Sequence, residues 1–213
     1  MDFSTSARQN MVENQLKPQG IMNAALLEAM TNTPREDFVP EEYADTAYSD
    51  FDIPLTDTRF LFRPAEVARF IAAAELQPDD FVADIGCKLG YITFITAKMV
   101  KAVVGIESDK ALADKAENAL LEVDNAAIIN TDMHKGMPKQ APFDVIFLEE
   151  IQTSAMAPKH FISQLADNGR LVFITGKAPI LTVRLLIKKR EEVFEKTAYQ
   201  FLLNPEAQIA QRV

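Results

Sequence analysis

Residues 82–91, VADIGCKLGY, constrain this chain more than any other ten. A short apolar run carries an acid near its end, and two glycines four positions apart follow. A second apolar run, 102–106, then closes on Glu107. A buried strand that turns through glycine into a helix, and returns as a second strand ending in an acid, is the opening of a parallel α/β unit. Lys88 stands between the glycines, where a third glycine is usual.

The strand–helix alternation continues downstream. Residues 81–85 read as a buried strand, 91–100 as a helix, 103–107 as a strand and 110–121 as a helix. Residues 127–130 are a short third strand, and 144–148 a fourth, almost continuously apolar as a strand covered on both faces should be. Residues 158–166 read as a helix closed by Asn168 and Gly169, and 170–175 as a fifth strand. The tail, 182–189 and 193–201, reads as an antiparallel hairpin on the sheet edge. The expected fold is therefore α/β: a doubly wound, mostly parallel sheet with an antiparallel C-terminal hairpin and a helical N-terminal extension.

The extension is more varied. Residues 5–16 read as a polar surface helix and 21–30 as a helix with an apolar stripe. Residues 34–40 read as an extended stretch bracketed by prolines, and 44–63 as irregular. Pro64 suits the first turn of a further helix with Val67, Phe70 and Ile71 inward. The expected division is 1–64 for the extension and 65–213 for the α/β domain, packed as one unit.

Composition narrows the function. The chain has 213 residues, 48% of them hydrophobic, which supplies a sizeable core. The net charge of −9 argues against a nucleic-acid substrate. The densest basic cluster, Lys188, Lys189 and Arg190, reads as a solvated strand end. No apolar run is long enough for a membrane span. A single cysteine allows no internal disulfide and points to the cytoplasm.

The chemistry gathers at strand ends, where ligands of such sheets bind. Gly86 can take a backbone conformation closed to other residues. Gly90 lets the next helix, or a ligand, approach. Glu107 comes 21 residues after Gly86, placed to accept from both hydroxyls of a ribose. Asp132 ends the third strand, within reach of an adenine amino group. With Asp84 in the first strand, and with neither a phosphate-binding lysine motif nor a complete G-x-G-x-x-G, the set suits an adenosyl ligand without a pyrophosphate: S-adenosylmethionine. Other chemistry-bearing residues read as bland. Cys87 is a buried spectator thiol. His134 and His160 lack partners at metal-ligand spacing, so no metal is expected. Glu149 and Glu150 read as a solvated loop, and Arg59 and Arg63 as surface charge able to pair with a carboxylate.

The chain resembles the protein-L-isoaspartate O-methyltransferases over nearly its whole length. The resemblance is carried by Arg8 to Val12 with Gln15 and Leu16, by Pro34 to Pro40 against a P-R-x-x-F-V-P signature, by Ala47 and Tyr48, by Ile53 to Leu55, and by Ala141 to Asp144. It implies methylation of the side-chain carboxylate of isoaspartyl residues in damaged proteins. It also implies a cofactor pocket lined by Asp84, Gly86, Gly90, Glu107, Asp132 and Met133. The family's loop before Pro64 carries a Thr-x-Ser-x-Pro core whose hydroxyls lie beside the acceptor carboxylate. Here Phe60 replaces the threonine and Phe62 the serine, so no catalytic side chain is assigned. The partner is accordingly a protein or peptide, or else a small-molecule carboxylate. Two alternatives accompany this reading: the same cofactor with another acceptor, or an inactive binding module. Lys88 points either to solvent or into the methionine end of the pocket.

Overall fold

Hydrophobic residues on both faces of the parallel strands set the architecture. The computed structural model describes residues 3–57 and 59–203; the ends of the expected division at 1–64 and 65–213 lie outside them. Helix α1 (Phe3–Met11) runs on as one π-helical turn and a 3-10 turn. Helix α2 (Ala24–Thr31) is capped by Asn23, whose Oδ1 accepts from the Leu26 amide at 3.0 Å. Met11, Leu16, Leu26 and Met30 are fully buried, so the first helix is not a polar surface element. Its polar residues form one face, and sparse apolar positions suffice to bury the other.

Two further expectations for this region are corrected. The stretch at 34–40 is not extended, because Arg35–Phe38 winds a 3-10 turn around a buried arginine. The stretch at 44–63 is not wholly irregular: it holds a 3-10 turn (Glu41–Thr46) and a small antiparallel hairpin, β1 (Ile53–Pro54) with β2 (Phe60–Leu61). Helix α3 (Pro64–Ala72) then starts on Pro64 and buries Val67, Phe70 and Ile71 as expected.

The main sheet follows: β3 (Phe81–Ile85), α4 (Tyr91–Ala97), β4 (Ala102–Glu107), α5 (Lys110–Ala119), β5 (Ala126–Asn130), β6 (Phe143–Gln152), α6 (Lys159–Ser163), β7 (Leu165–Lys177), β8 (Ile180–Lys189) and β9 (Glu192–Leu202). The strand order is β5-β4-β3-β6-β7-β8-β9. The pairs from β5 to β7 are parallel, and β8 and β9 add an antiparallel edge. This is the expected doubly wound sheet with its C-terminal hairpin. The order reverses beside β3, which lies between β4 and β6. A crevice for ligands opens at the carboxyl ends there.

Side chains alternate between two cores. Val82, Val103, Val145 and Val172 face one cluster with the N-terminal helices, α3 and α4; Ala83, Val104, Ile146 and Leu171 face the other. A strand covered on both sides is apolar at nearly every position. The larger boundary shifts are at α6 and β6. α6 stops at Ser163, and Asn168 and Gly169 do not close it; they lie in the first part of β7. There Asn168 takes a left-handed conformation (φ +62°) where pairing with β6 skips from Leu165 to Arg170. β6 runs on past Leu148 through Glu149 and Glu150, so these residues belong to a strand and not to a solvated loop.

Candidate functional site

The turn leaving β3 reverses the chain within five residues. Gly86, Lys88 and Gly90 all take positive φ, at +77°, +57° and +83°. Both the Gly86 and Cys87 amides donate to the Ile106 carbonyl, at 2.8 and 3.2 Å, which ties the turn to β4. The two glycines serve different neighbours. A Cβ on Gly90 would lie 2.9 Å from Leu120 Cδ1 and 3.2 Å from Ala116 Cβ, so this glycine admits helix α5 and its C-terminal flank. A Cβ on Gly86 would approach Glu150 at 3.2 Å and Arg59 Nη2 at 3.4 Å. Gly86 is the one that faces the crevice.

Glu107 is fully buried at the end of β4 and accepts from four donors. Arg59 Nη1 donates to Oε1 at 2.5 Å and Nη2 to Oε2 at 2.8 Å. The Lys88 amide donates to Oε2 at 2.8 Å and the Asp109 amide to Oε1 at 2.9 Å. Arg59 thus makes a bidentate pair, the strongest geometry available to a carboxylate. It also donates to the Gly86 carbonyl at 3.1 Å and, through Nε, to Glu150 at 2.9 Å. Burial alone would lower the basicity of this guanidinium, but Glu107, Glu150 and Glu149 reverse that and hold it above its ordinary range. Reading Arg59 as surface charge is corrected: its side chain is 11% exposed and spans the carboxyl ends of three strands. Arg63, the other arginine of this loop, lies apart, beside Asp52 and Glu66, with Nη2 on the Leu202 carbonyl at 3.0 Å.

Lys88 points inward. Its Nζ lies 2.5 Å from Glu149 Oε2, with both side chains buried, and 5.8 Å from the centre of the Phe62 ring. Behind it lies Asp84, fully buried, accepting from Thr93 Oγ1 at 2.6 Å. Burial, and then the negative charge of Glu149, hold the Asp84 carboxyl well above the usual carboxylate range. Asp84 Oδ1 and Glu149 Oε1 are both buried there and neither accepts a hydrogen bond. Lys88 and Glu149 line the crevice, and Asp84 is buried beneath them. Cys87, beside them, is buried, and burial raises its thiol well above the ordinary value, in keeping with a spectator.

Phe60 and Phe62 are buried and pack edge to face, centroids 5.0 Å apart, and Phe62 stacks likewise on Phe201 at 5.3 Å. Between these rings and the charged groups lies a cavity of about 160 Å³. Arg59, Lys88, Glu149 and Glu150 supply its polar wall. Asp132 and Met133 follow β5 next to Glu107: the Thr131 amide donates to the Glu107 carbonyl at 3.1 Å, and the Met133 amide to Ser108 Oγ at 2.9 Å. Asp132 is exposed, caps a 3-10 turn and pairs with Lys135 at 3.0 Å. The structure thus joins Gly86 and Glu107 through Arg59 at one crevice, buries Asp84 beneath it, sets Asp132 and Met133 on the turn after β5, and packs Gly90 against α5. Among the described residues no acid, histidine and cysteine cluster could hold a metal.

The Pro34 signature has a structural role. Arg35 is fully buried, donating to the Ala47 carbonyl through Nε and to the Phe62 carbonyl through Nη2, both at 2.7 Å, with its guanidinium 4.8 Å from the centre of the Tyr91 ring. One side chain ties the 3-10 turns, the strand bearing Phe60 and the first turn of α4 into a single frame around the crevice.

Known proteins are similar to this chain over most of its length. The protein-L-isoaspartate(D-aspartate) O-methyltransferase family model matches residues 6–202. A protein-L-isoaspartate O-methyltransferase of Methylorubrum populi is 36% identical over 194 residues, 91% of each chain. One of Aliivibrio fischeri is 33% identical over 193 residues, 90% of this chain and 91% of its own. A solved Plasmodium falciparum structure, described as a β-aspartate methyltransferase in complex with S-adenosyl-L-homocysteine, has a TM-score of 0.73 at 19% identity over 96% of this chain and 98% of its own, a likeness of fold. From the N-terminal helices through the Arg35 frame to the C-terminal hairpin, the chain belongs to the protein-L-isoaspartate(D-aspartate) O-methyltransferase family.

Proposed function

We propose that this chain is an S-adenosylmethionine-dependent O-methyltransferase that methylates the side-chain carboxylate of isoaspartyl residues in proteins and peptides. The observation that carries the reading is Glu107, a buried strand-end carboxylate whose two oxygens both face one bidentate donor across the Gly86 turn. The Arg59 guanidinium stands in there for a vicinal diol, because two N–H groups on two carboxylate oxygens repeat what two ribose hydroxyls would do. The residues thus fit an adenosyl ligand. Glu107 would hold the ribose, with Gly86 admitting the ligand backbone to backbone and Asp132 and Met133 on the adenine side. Asp84 and Gly90 act behind this surface, as a buried support and as the seat of α5.

When bound, the cofactor supplies an electrophilic methyl group. The protein's own part is proximity and orientation. An acceptor carboxylate is ionised near neutral pH and needs no base to attack. Glu149 is paired with Lys88 and has no proton to collect from such an acceptor. Lys88 lies on the acceptor side of the turn, with its charge already balanced. The chain is expected to work as a cytoplasmic protein, its residues 1–64 and 65–213 folding as one unit.

A second reading keeps the cofactor and changes the acceptor. Phe60 and Phe62 favour it, since they line the cavity with aromatic rings where the family carries hydroxyls. The experiment is methyl transfer from labelled S-adenosylmethionine to an isoaspartyl peptide and to its normal aspartyl counterpart. Turnover confined to the isoaspartyl peptide supports the first reading. No turnover, with cofactor binding intact, supports the second.

A further inference from the structure

The arginine that identifies the ribose position also blocks it. A carboxylate has about four lone-pair sites. Those of Glu107 are all taken: two by Arg59, one by the Lys88 amide and one by the Asp109 amide. The two amides belong to the turn and to the strand end, so they stay. Only the two Arg59 bonds can be given up. The space before Gly86 is filled as well, by Arg59 and Glu150. The cavity beyond, about 160 Å³, is well below the roughly 300 Å³ at which ligand sites begin.

The hairpin that carries Arg59 is suited to release it. Its strands are two residues each. Beside the β1–β2 pairing, the amides of Leu55 and Thr56 on the Arg59 carbonyl, at 2.8 and 3.1 Å, and the Arg59 amide on Thr56 Oγ1 at 3.1 Å hold the Arg59 backbone and leave its side-chain torsions free. Glu150, partly exposed, can accompany the guanidinium outward.

We infer that Arg59 is an internal competitor for the ribose-binding carboxylate, so that it, and not Lys88, sets the affinity of this chain for its cofactor. The inference rests on the cofactor reading proposed above. Cofactor enters only the fraction of molecules in which Arg59 has left Glu107, and the apparent dissociation constant is raised by the inverse of that fraction. Departure of the guanidinium also leaves Glu107 and Glu150 without their cation, which favours a positively charged sulfonium.

The test is calorimetric titration of S-adenosylhomocysteine into the full chain and into Arg59→Met, Arg59→Lys and Arg59→Met with Glu107→Gln. Arg59→Met is expected to bind about tenfold tighter or more, as for a closed state populated at roughly 90%. Arg59→Lys, a point charge without the fork, should gain less. The double variant should lose the gain. Circular dichroism establishes that each variant is folded; if Arg59→Met is not, Arg59→Lys carries the same sign. Equal or weaker binding by the folded Arg59 variants overturns the inference while the cofactor reading stands, as does a gain that survives Glu107→Gln. No binding by any protein at millimolar ligand overturns both.

Discussion

Lys88 stands in a left-handed conformation that costs a non-glycine residue about 1–2 kcal/mol. Its ammonium neutralises Glu149 in a buried pair, and breaking such a pair by removing one partner costs about 3–5 kcal/mol. The second effect wins. Lys88→Gly, although it restores the glycine usual at this position, is expected to destabilise the protein by about 2 kcal/mol. Urea denaturation measures this, and a more stable variant would show that the pair contributes little.

Asp84 has the opposite sign from most carboxylates. Its pKa is raised in the fold by burial and by Glu149, so the native state keeps a proton that the unfolded chain releases near its ordinary value, about 4. Stability from this group is therefore full below that pH and falls as pH rises through the window up to the raised value. Asp84→Asn keeps an acceptor for Thr93 but cannot ionise. Its stability relative to the parent is expected to climb between pH 4 and 7. A flat difference across that range would mean that Asp84 is ionised in the fold.

At the scale of elements, the strand–turn–helix opening was legible because its pattern is local. The apolar run, the two glycines and the acid are close in sequence, and each constrains the next. Glu149 and Glu150 were not. They follow an apolar run and are polar, which is how a loop begins. Their partners, Lys88 and Arg59, are 61 and 91 residues away, so no window along the chain reports them. The same holds for the 3-10 turn at Arg35. Its proline brackets read as extended, but the carbonyls that hold the arginine lie at Ala47 and Phe62. The two glycines divide their tasks in a way that spacing alone left open, and Gly90 is a packing residue. Gly90→Ala is expected to cost about 2–4 kcal/mol, from the positive φ and from crowding Leu120. It should do so with little change in ligand affinity for the folded fraction, whereas the same change at Gly86 should reduce affinity.

For the whole molecule, sheet order and the edge hairpin follow from alternation of apolar runs, and both were readable. How the N-terminal segment joins the sheet was not. Met11, Leu26 and Phe38 share one cluster with Val82, Ile92 and Val145. A shared core makes separate unfolding of the two parts costly, so thermal denaturation followed by near- and far-ultraviolet circular dichroism should give one coincident transition. Two resolved transitions would assign residues 1–64 their own stability. In this reading Glu107 is the ribose carboxylate of a methyltransferase and Arg59 occupies the ribose position until cofactor binds. A crystal structure of the chain grown with S-adenosylhomocysteine decides this. The expected map has both ribose hydroxyls on the Glu107 oxygens and the Arg59 guanidinium withdrawn; ligand bound elsewhere, or Arg59 still paired with Glu107 at saturating ligand, would contradict it.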